Sequence, residues 1–169
     1  MILNPWHCVS FTGHRTYRDQ ARMLLPPTLE RLYDRGFCTF LSGMAVGFDL
    51  AAARAVLELR GRHPDVQLIA AVPFRGQERR FPTAWRLLYE EVLDQADGVE
   101  ILAGEYHRGC YAVRNEFLVD HARVIVAWYS GTASGGTAQT VRRARARNRE
   151  IINLHPRAVI LPEPDAEPF

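Results

Sequence analysis

Val124-Ile125-Val126-Ala127-Trp128 runs without a polar break into Tyr129-Ser130-Gly131-Thr132-Ala133-Ser134-Gly135-Gly136-Thr137. Five apolar residues in a row are short for a helix and do not alternate. They read as a strand buried on both faces, as in a parallel sheet. The glycine and hydroxyl run that follows reads as a loop, and Ala138 to Arg149 reads as a helix. The same unit recurs on either side. Strands are expected at His7 to Thr12, Phe37 to Leu41, Val66 to Val72, Gly98 to Leu102 and Ile151 to Leu154. Helices are expected at Asp19 to Arg35, Phe48 to Leu59, Thr83 to Ala96 and Tyr111 to His121, with Pro26 and Pro27 as an alternative start of the first. Alternating strands and helices predict an α/β three-layer sandwich, a mostly parallel sheet with helices on both faces.

The 169 residues amount to one domain, placed at 1–155, with 156–169 expected to be a loose C-terminal tail. Twenty-one basic residues against nineteen acidic ones give a formal charge of +2. That balance argues against nucleic acid as a partner. Every basic residue is Arg, so no lysine Schiff base and no P-loop lysine can form. Cys8, Cys38 and Cys110 show no CxxC pair and no metal-ligand spacing, which predicts reduced thiols, no metal and a cytoplasmic protein. No stretch of eighteen apolar residues exists, so no membrane span is expected.

Open α/β sheets bind ligands beyond the carboxyl ends of their strands, so the loops there carry the chemistry. The first strand leads into Gly13-His14-Arg15, where Gly13 permits a close approach and Arg15 offers a fork to phosphate. His14 can donate to a phosphate or titrate near neutrality. The second strand leads into Ser42-Gly43-Met44-Ala45-Val46-Gly47-Phe48-Asp49, whose glycines precede a helix and suit an anion. Asp49 either caps that helix or accepts hydrogen bonds from a ribose hydroxyl or an amine. The loop at Gly131, Gly135, Gly136 and Thr137 is the strongest phosphate cradle. Arg114, beside Asn115 and Glu116, either reaches the same anion or pairs with Asp120 or Glu116 at the surface. The loop Pro73-Phe74-Arg75-Gly76-Gln77-Glu78-Arg79-Arg80-Phe81 is long enough to be a lid, with Gln77 and Arg80 facing the ligand. Arg142, Arg143, Arg145, Arg147 and Arg149 read as a solvated surface more readily than as a nucleic-acid patch.

Phe11-Thr12-Gly13-His14-Arg15, the SGMAVGFD segment at 42–49, Pro73-Phe74 with Gln77, Arg114-Asn115 and Gly135-Gly136-Thr137 together resemble the SLOG superfamily. That superfamily includes the DprA and LOG proteins, and the match is to its small bacterial YpsA-like branch. The resemblance spans about residues 7 to 154. It implies a Rossmann-like fold, a homo-oligomer, and a nucleotide-derived ligand such as NAD or ADP-ribose. Three glycine loops and two arginines converging on one sheet edge make a sensor of such a ligand the leading expectation. It also raises a LOG-like nucleoside monophosphate N-glycoside hydrolase, for which Arg114, Asp49 and Glu116 are the catalytic candidates. LOG-like enzymes carry a Glu shortly after the Gly-Gly loop. Here Thr137 is followed by Ala138-Gln139-Thr140-Val141, so that carboxylate is missing and enzyme status stays open.

Overall fold

A computed structural model describes residues 3–156, so the tail expected over 156–169 lies, but for its first residue, outside the described residues. Six strands form one sheet in the order β4-β3-β2-β1-β5-β6: β1 Cys8–Gly13, β2 Thr39–Ser42, β3 Gln67–Val72, β4 Gly98–Ile101, β5 Val124–Trp128 and β6 Glu150–Asn153. Every neighbouring pair is parallel, so the sheet is wholly rather than mostly parallel. Five helices connect the strands: α1 Leu25–Asp34, α2 Phe48–Arg62, α3 Thr83–Gln95, α4 Cys110–Asp120 and α5 Gly136–Ala146. This is the expected Rossmann-like α/β architecture.

The order decides where a ligand can sit. From β1 the chain winds outward through β2, β3 and β4, then returns to the other side of β1 for β5 and β6. Right-handed crossovers in opposite directions place their helices on opposite faces. Accordingly α1, α2 and α3 cover one face, packing on Val9, Phe11, Phe40, Leu68, Val124 and Val126. The α4 and α5 helices cover the other, through Leu118, Val119 and Ala144 against Cys8, Leu41, Ile69 and Ile125. Between β1 and β5 the loops leave for opposite faces, and a crevice opens there. All five side chains of β5 are buried, as its unbroken apolar run requires.

Four helix boundaries differ by two residues or more from the sequence expectation. The α1 helix starts at Leu25, not Asp19, because Pro26 and Pro27 lack N–H groups and are tolerated only in a first turn. Asp19 instead sits at φ 59° in the preceding turn. Gly36, at φ 97°, ends α1: its N–H bonds Tyr33 O at 2.8 Å and that of Phe37 bonds Leu32 O at 3.1 Å. The α2 helix runs one turn beyond Leu59, through Gly61 to Arg62. The α5 helix starts at Gly136 rather than Ala138 and stops at Ala146, three residues short of Arg149. Asn148 takes the left-handed conformation at φ 55°, and Arg149 N–H closes on Ala144 O at 2.9 Å.

Candidate functional site

A cavity of about 440 Å³ opens over the carboxyl ends of β1 and β5, within the usual range for small-molecule sites. Four segments build it. Gly13, His14 and Arg15 come from the end of β1 and the loop after it, Ala45 from the loop before α2 and Asp49 from its first turn, Tyr111, Arg114 and Asn115 from α4, and Gly135, Gly136 and Thr137 from the start of α5.

The loop after β1 is held by backbone packing. A Cβ on Gly13 would fall inside the Phe48 side chain, so glycine allows α2 to press on the strand end. Gly47, at φ 92°, plays the matching part, since a Cβ there would come within 2.6 Å of His14 O. His14 N–H donates to Trp128 O at 3.3 Å, tying this loop to β5. The backbone N–H of Ser130 donates to His14 Nε2 at 3.0 Å, so that nitrogen is an acceptor and the ring is neutral. Burial, then the nearby His155, holds the His14 pKa below its ordinary value. The SGMAVGFD segment serves mainly as scaffold. Ser42 Oγ donates to Asp49 O at 2.9 Å and accepts from Met44 N–H at 3.2 Å. Met44 adopts φ 63° and is fully buried.

Gly43 is where the two buried charges of the cavity meet. A Cβ there would lie 2.8 Å from both Asp49 Oδ2 and Arg114 Cδ. Arg114 is 6% exposed, donating to Gly43 O at 2.6 Å and to Asn115 Oδ1 at 2.9 Å. Asp49 is 5% exposed and accepts from Ala45 N–H at 3.4 Å. It therefore bonds backwards into its own loop. Burial pushes the Asp49 pKa up to about 6, against the opposing pull of Arg114, Ala45 N–H and Arg15. Burial likewise lowers the Arg114 pKa, offset by Asp49. A cavity wall thus carries two guanidinium groups and one carboxyl group that gives up its proton near neutrality.

The opposite wall is the start of α5. Gly135, at φ 106°, precedes the helix, and no side chain caps it. The first N–H groups of a helix have no intrahelical partner, and the helix dipole makes that end positive. The loop is fixed by Asn153, which accepts from Tyr129 N–H at 3.1 Å and donates to Tyr129 O at 2.9 Å. Arg142 donates to Ala133 O at 2.8 Å. Helix-start amides with no intrahelical partner, Arg15 and Arg114 facing one space are an arrangement able to hold an anion.

Of the residues singled out from sequence, Gly13, His14, Arg15, Ala45, Asp49, Arg114, Asn115, Gly135, Gly136 and Thr137 line this cavity. Ser42, Gly43, Met44, Gly47, Gln77, Gly131 and Glu116 do not. Glu116 stands two residues from Arg114, so it points away and pairs with Arg143 at 3.4 Å. The surface pairing weighed for Arg114 belongs instead to Arg143 and Arg147, both of which meet Asp120. Gln77 is buried in a 3-10 turn, donating to Met44 O at 3.4 Å. It holds the loop after β3 to the scaffold and does not face the cavity. Thr140, in the stretch where the LOG resemblance calls for a Glu, donates its hydroxyl to Gly136 O in its own helix, 2.8 Å away.

Sequence reasoning missed Tyr111, Ser134 and Gln139 as cavity residues. Tyr111 was detectable, lying three positions before Arg114 and so on the same helix face. Its ring faces the guanidinium of Arg15 at 5.4 Å and that of Arg114 at 5.7 Å. A second, basic cavity of about 590 Å³ lies at the opposite, N-terminal ends of the strands, lined by Trp6, Arg123, Arg145, Arg147, Asn148, Arg149 and Glu150. Among the described residues, no helix is long and apolar enough to cross a membrane. No cluster of three His, Cys, Asp or Glu side chains that could hold a metal is found among them.

Comparison with known proteins places this geometry in context. The model of the YspA SLOG family matches residues 11–156. An uncharacterised SPbeta prophage-derived protein of Bacillus subtilis, YoqJ, is 32% identical over 131 residues, covering 69% of this chain and 76% of YoqJ. A UPF0398 protein of Halalkalibacterium halodurans is 29% identical over 121 residues, covering 70% of this chain but only 64% of its own length. Among solved structures, DNA processing protein A of Streptococcus pneumoniae superposes with a TM-score of 0.63 at 18% identity. That match covers 96% of this chain and 52% of the neighbour, so this chain spans about half of that protein. The Helicobacter pylori protein of the same name, described for its single-stranded DNA binding mode, gives 0.65 at 18% identity and 68% coverage. At these identities the likeness is one of fold.

Proposed function

This chain belongs to the YspA SLOG family, and on that premise we propose that the cavity between β1 and β5 binds a phosphate-bearing nucleotide derivative of the NAD or ADP-ribose class. The observation that carries this reading is the convergence of Arg15, the buried Arg114 and the uncapped start of α5 on one cavity. A sensing role in the cytoplasm, as a homo-oligomer, completes the proposal. Thermal melting with NAD, ADP-ribose, AMP and ATP in excess tests it. A ligand at a hundred times its Kd adds about 2.7 kcal/mol, or roughly 5–11 °C for a chain of this size. Arg15 is exposed, so Arg15→Ala is expected to abolish the shift and leave the unliganded midpoint in place. An unchanged shift in that variant refutes the proposal.

Two further readings each have an observation of their own. Asp49 lines the cavity with its pKa near 6, which suits a proton-transfer group in N-glycoside hydrolysis. Release of free base from AMP, lost in Asp49→Asn, is the outcome that reading requires. The basic cavity around Trp6 combines four arginines with an exposed indole, the pairing that single-stranded nucleic acid favours. The DNA binding of the Helicobacter pylori neighbour bears in the same direction. Gel shifts at low and high salt separate it from the first reading, because phosphate contacts weaken steeply with salt.

A further inference from the structure

Three aromatic rings from three separate segments gather beside the cavity. Phe74 follows β3, Tyr106 stands between β4 and α4, and Tyr111 lies in the first turn of α4. The Phe74 ring centroid is 5.5 Å from that of Tyr106 and 5.9 Å from that of Tyr111, each at a steep interplanar angle (79° and 75°). The two tyrosines are 6.4 Å apart. These are the spacings of rings that fix one another edge to face. Tyr111 belongs to both groups, since it lines the cavity and carries Arg15 and Arg114 on its ring. Phe74 is half-buried. Tyr106 is 63% exposed, although Phe74 holds it from one side. A large ring oriented by its neighbours and left open to solvent, next to an anion site, is a ready surface for another flat ring.

We propose that Phe74, Tyr106 and Tyr111 form a base subsite, in which the nucleobase of the ligand stacks on Tyr106 while its phosphate occupies the cavity between Arg15 and the start of α5. The inference rests on the phosphate-binding reading above and narrows it. It assigns the base of that nucleotide derivative a place of its own on Tyr106, and so excludes simple sugar phosphates as full ligands. Phe74 and Tyr111 act as supports, because the Tyr111 ring already bears two guanidinium groups and the half-buried Phe74 packs at a steep angle against both tyrosines. Stacking on an aromatic side chain changes affinity by about 5- to 150-fold when the ring is removed.

The test is calorimetric titration of the full chain with AMP, ADP-ribose and ribose 5-phosphate. Wild type is compared with Tyr106→Ala, Tyr106→Phe and Arg15→Ala. Wild type is expected to bind the two base-bearing probes more tightly than ribose 5-phosphate. Tyr106→Ala is expected to lose that margin, weakening AMP and ADP-ribose by about 5- to 150-fold with ribose 5-phosphate unchanged. Tyr106→Phe is expected to keep it, since the face of the ring does the work. Arg15→Ala is expected to weaken all three probes. Equal wild-type affinity for all three, or equal weakening of all three by Tyr106→Ala, overturns the base subsite and leaves the phosphate cavity standing. Absence of binding by any probe in wild type overturns both. Melting of each variant without ligand checks that the exposed ring can be removed without unfolding the chain.

Discussion

Replacing Asp49 by Asn should change how the stability of this protein depends on pH. In the unfolded chain Asp49 has its ordinary pKa of 3.8, and in the fold burial raises it to about 6. Well below pH 3.8 both states hold the proton and the group contributes no difference. Between these two values the unfolded chain releases the proton first, so the folded state binds more protons and stability falls as pH rises. Above about pH 6 both states are ionised and the penalty is complete. A gap of about two pH units corresponds to ~3 kcal/mol. The Asn variant cannot ionise there, and part of the penalty is already present at pH 4, so its stability relative to wild type should rise by ~2 kcal/mol between pH 4 and pH 7.5. For a chain of this length that is roughly 4–8 °C in midpoint. Glu30 and Glu150, whose ion pairs hold their pKa values down, act in the opposite sense but are common to both proteins and cancel in the difference. Urea unfolding of both proteins at each pH, within the reversible range, measures the quantity directly. A difference that stays flat from pH 4 to pH 7.5 refutes the placement of Asp49 as a buried, reluctantly charged group, and removes the ground for a proton-transfer role.

Two glycines should respond in opposite directions to alanine. Gly43→Ala puts a methyl group 2.8 Å from Asp49 Oδ2 and Arg114 Cδ, so it should destabilise the fold by ~1–3 kcal/mol in urea titration. Gly61→Ala, within α2 and with nothing inside 4 Å of the new Cβ, should stabilise it by ~0.5–1 kcal/mol. Gly136→Ala meets only Asn115 Nδ2, at 3.7 Å, so the midpoint of the free protein should hold while any anion-induced shift shrinks. Arg145→Glu lies at the far end of the sheet from the candidate site and should leave a nucleotide-induced melting shift unchanged. A lost shift in that variant would move the ligand to the basic cavity.

Much of the architecture is legible in the chain itself. Val124–Trp128 can be satisfied only with both faces covered, and the repeated strand-loop-helix unit requires parallel strands. Pro26 and Pro27 mark where α1 must start, because a proline supplies no N–H to a preceding turn. The Gly135-Gly136 run is likewise readable as the open start of a helix. Glycine patterns are less informative about what they serve. Gly13, Gly43 and Gly47 look like ligand loops, yet each is small so that protein can approach protein: Phe48, the Asp49 and Arg114 side chains, and His14 O.

The sequence alone determined the α/β class, the parallel strands and the positions of the glycine loops, because hydrophobic period and backbone stereochemistry act over neighbouring residues. Tertiary structure decided the rest. Strand order put the loops after β1 and β5 at one crevice, and packing turned Arg114 inward and Glu116 outward on the same helix. Burial gave Asp49 a pKa that no local spacing encodes. Phe74, Tyr106 and Tyr111 became one cluster only when β3, β4 and α4 were set side by side. Charge, burial and ring contacts depend on distances through space, and those exist once the chain has closed on itself.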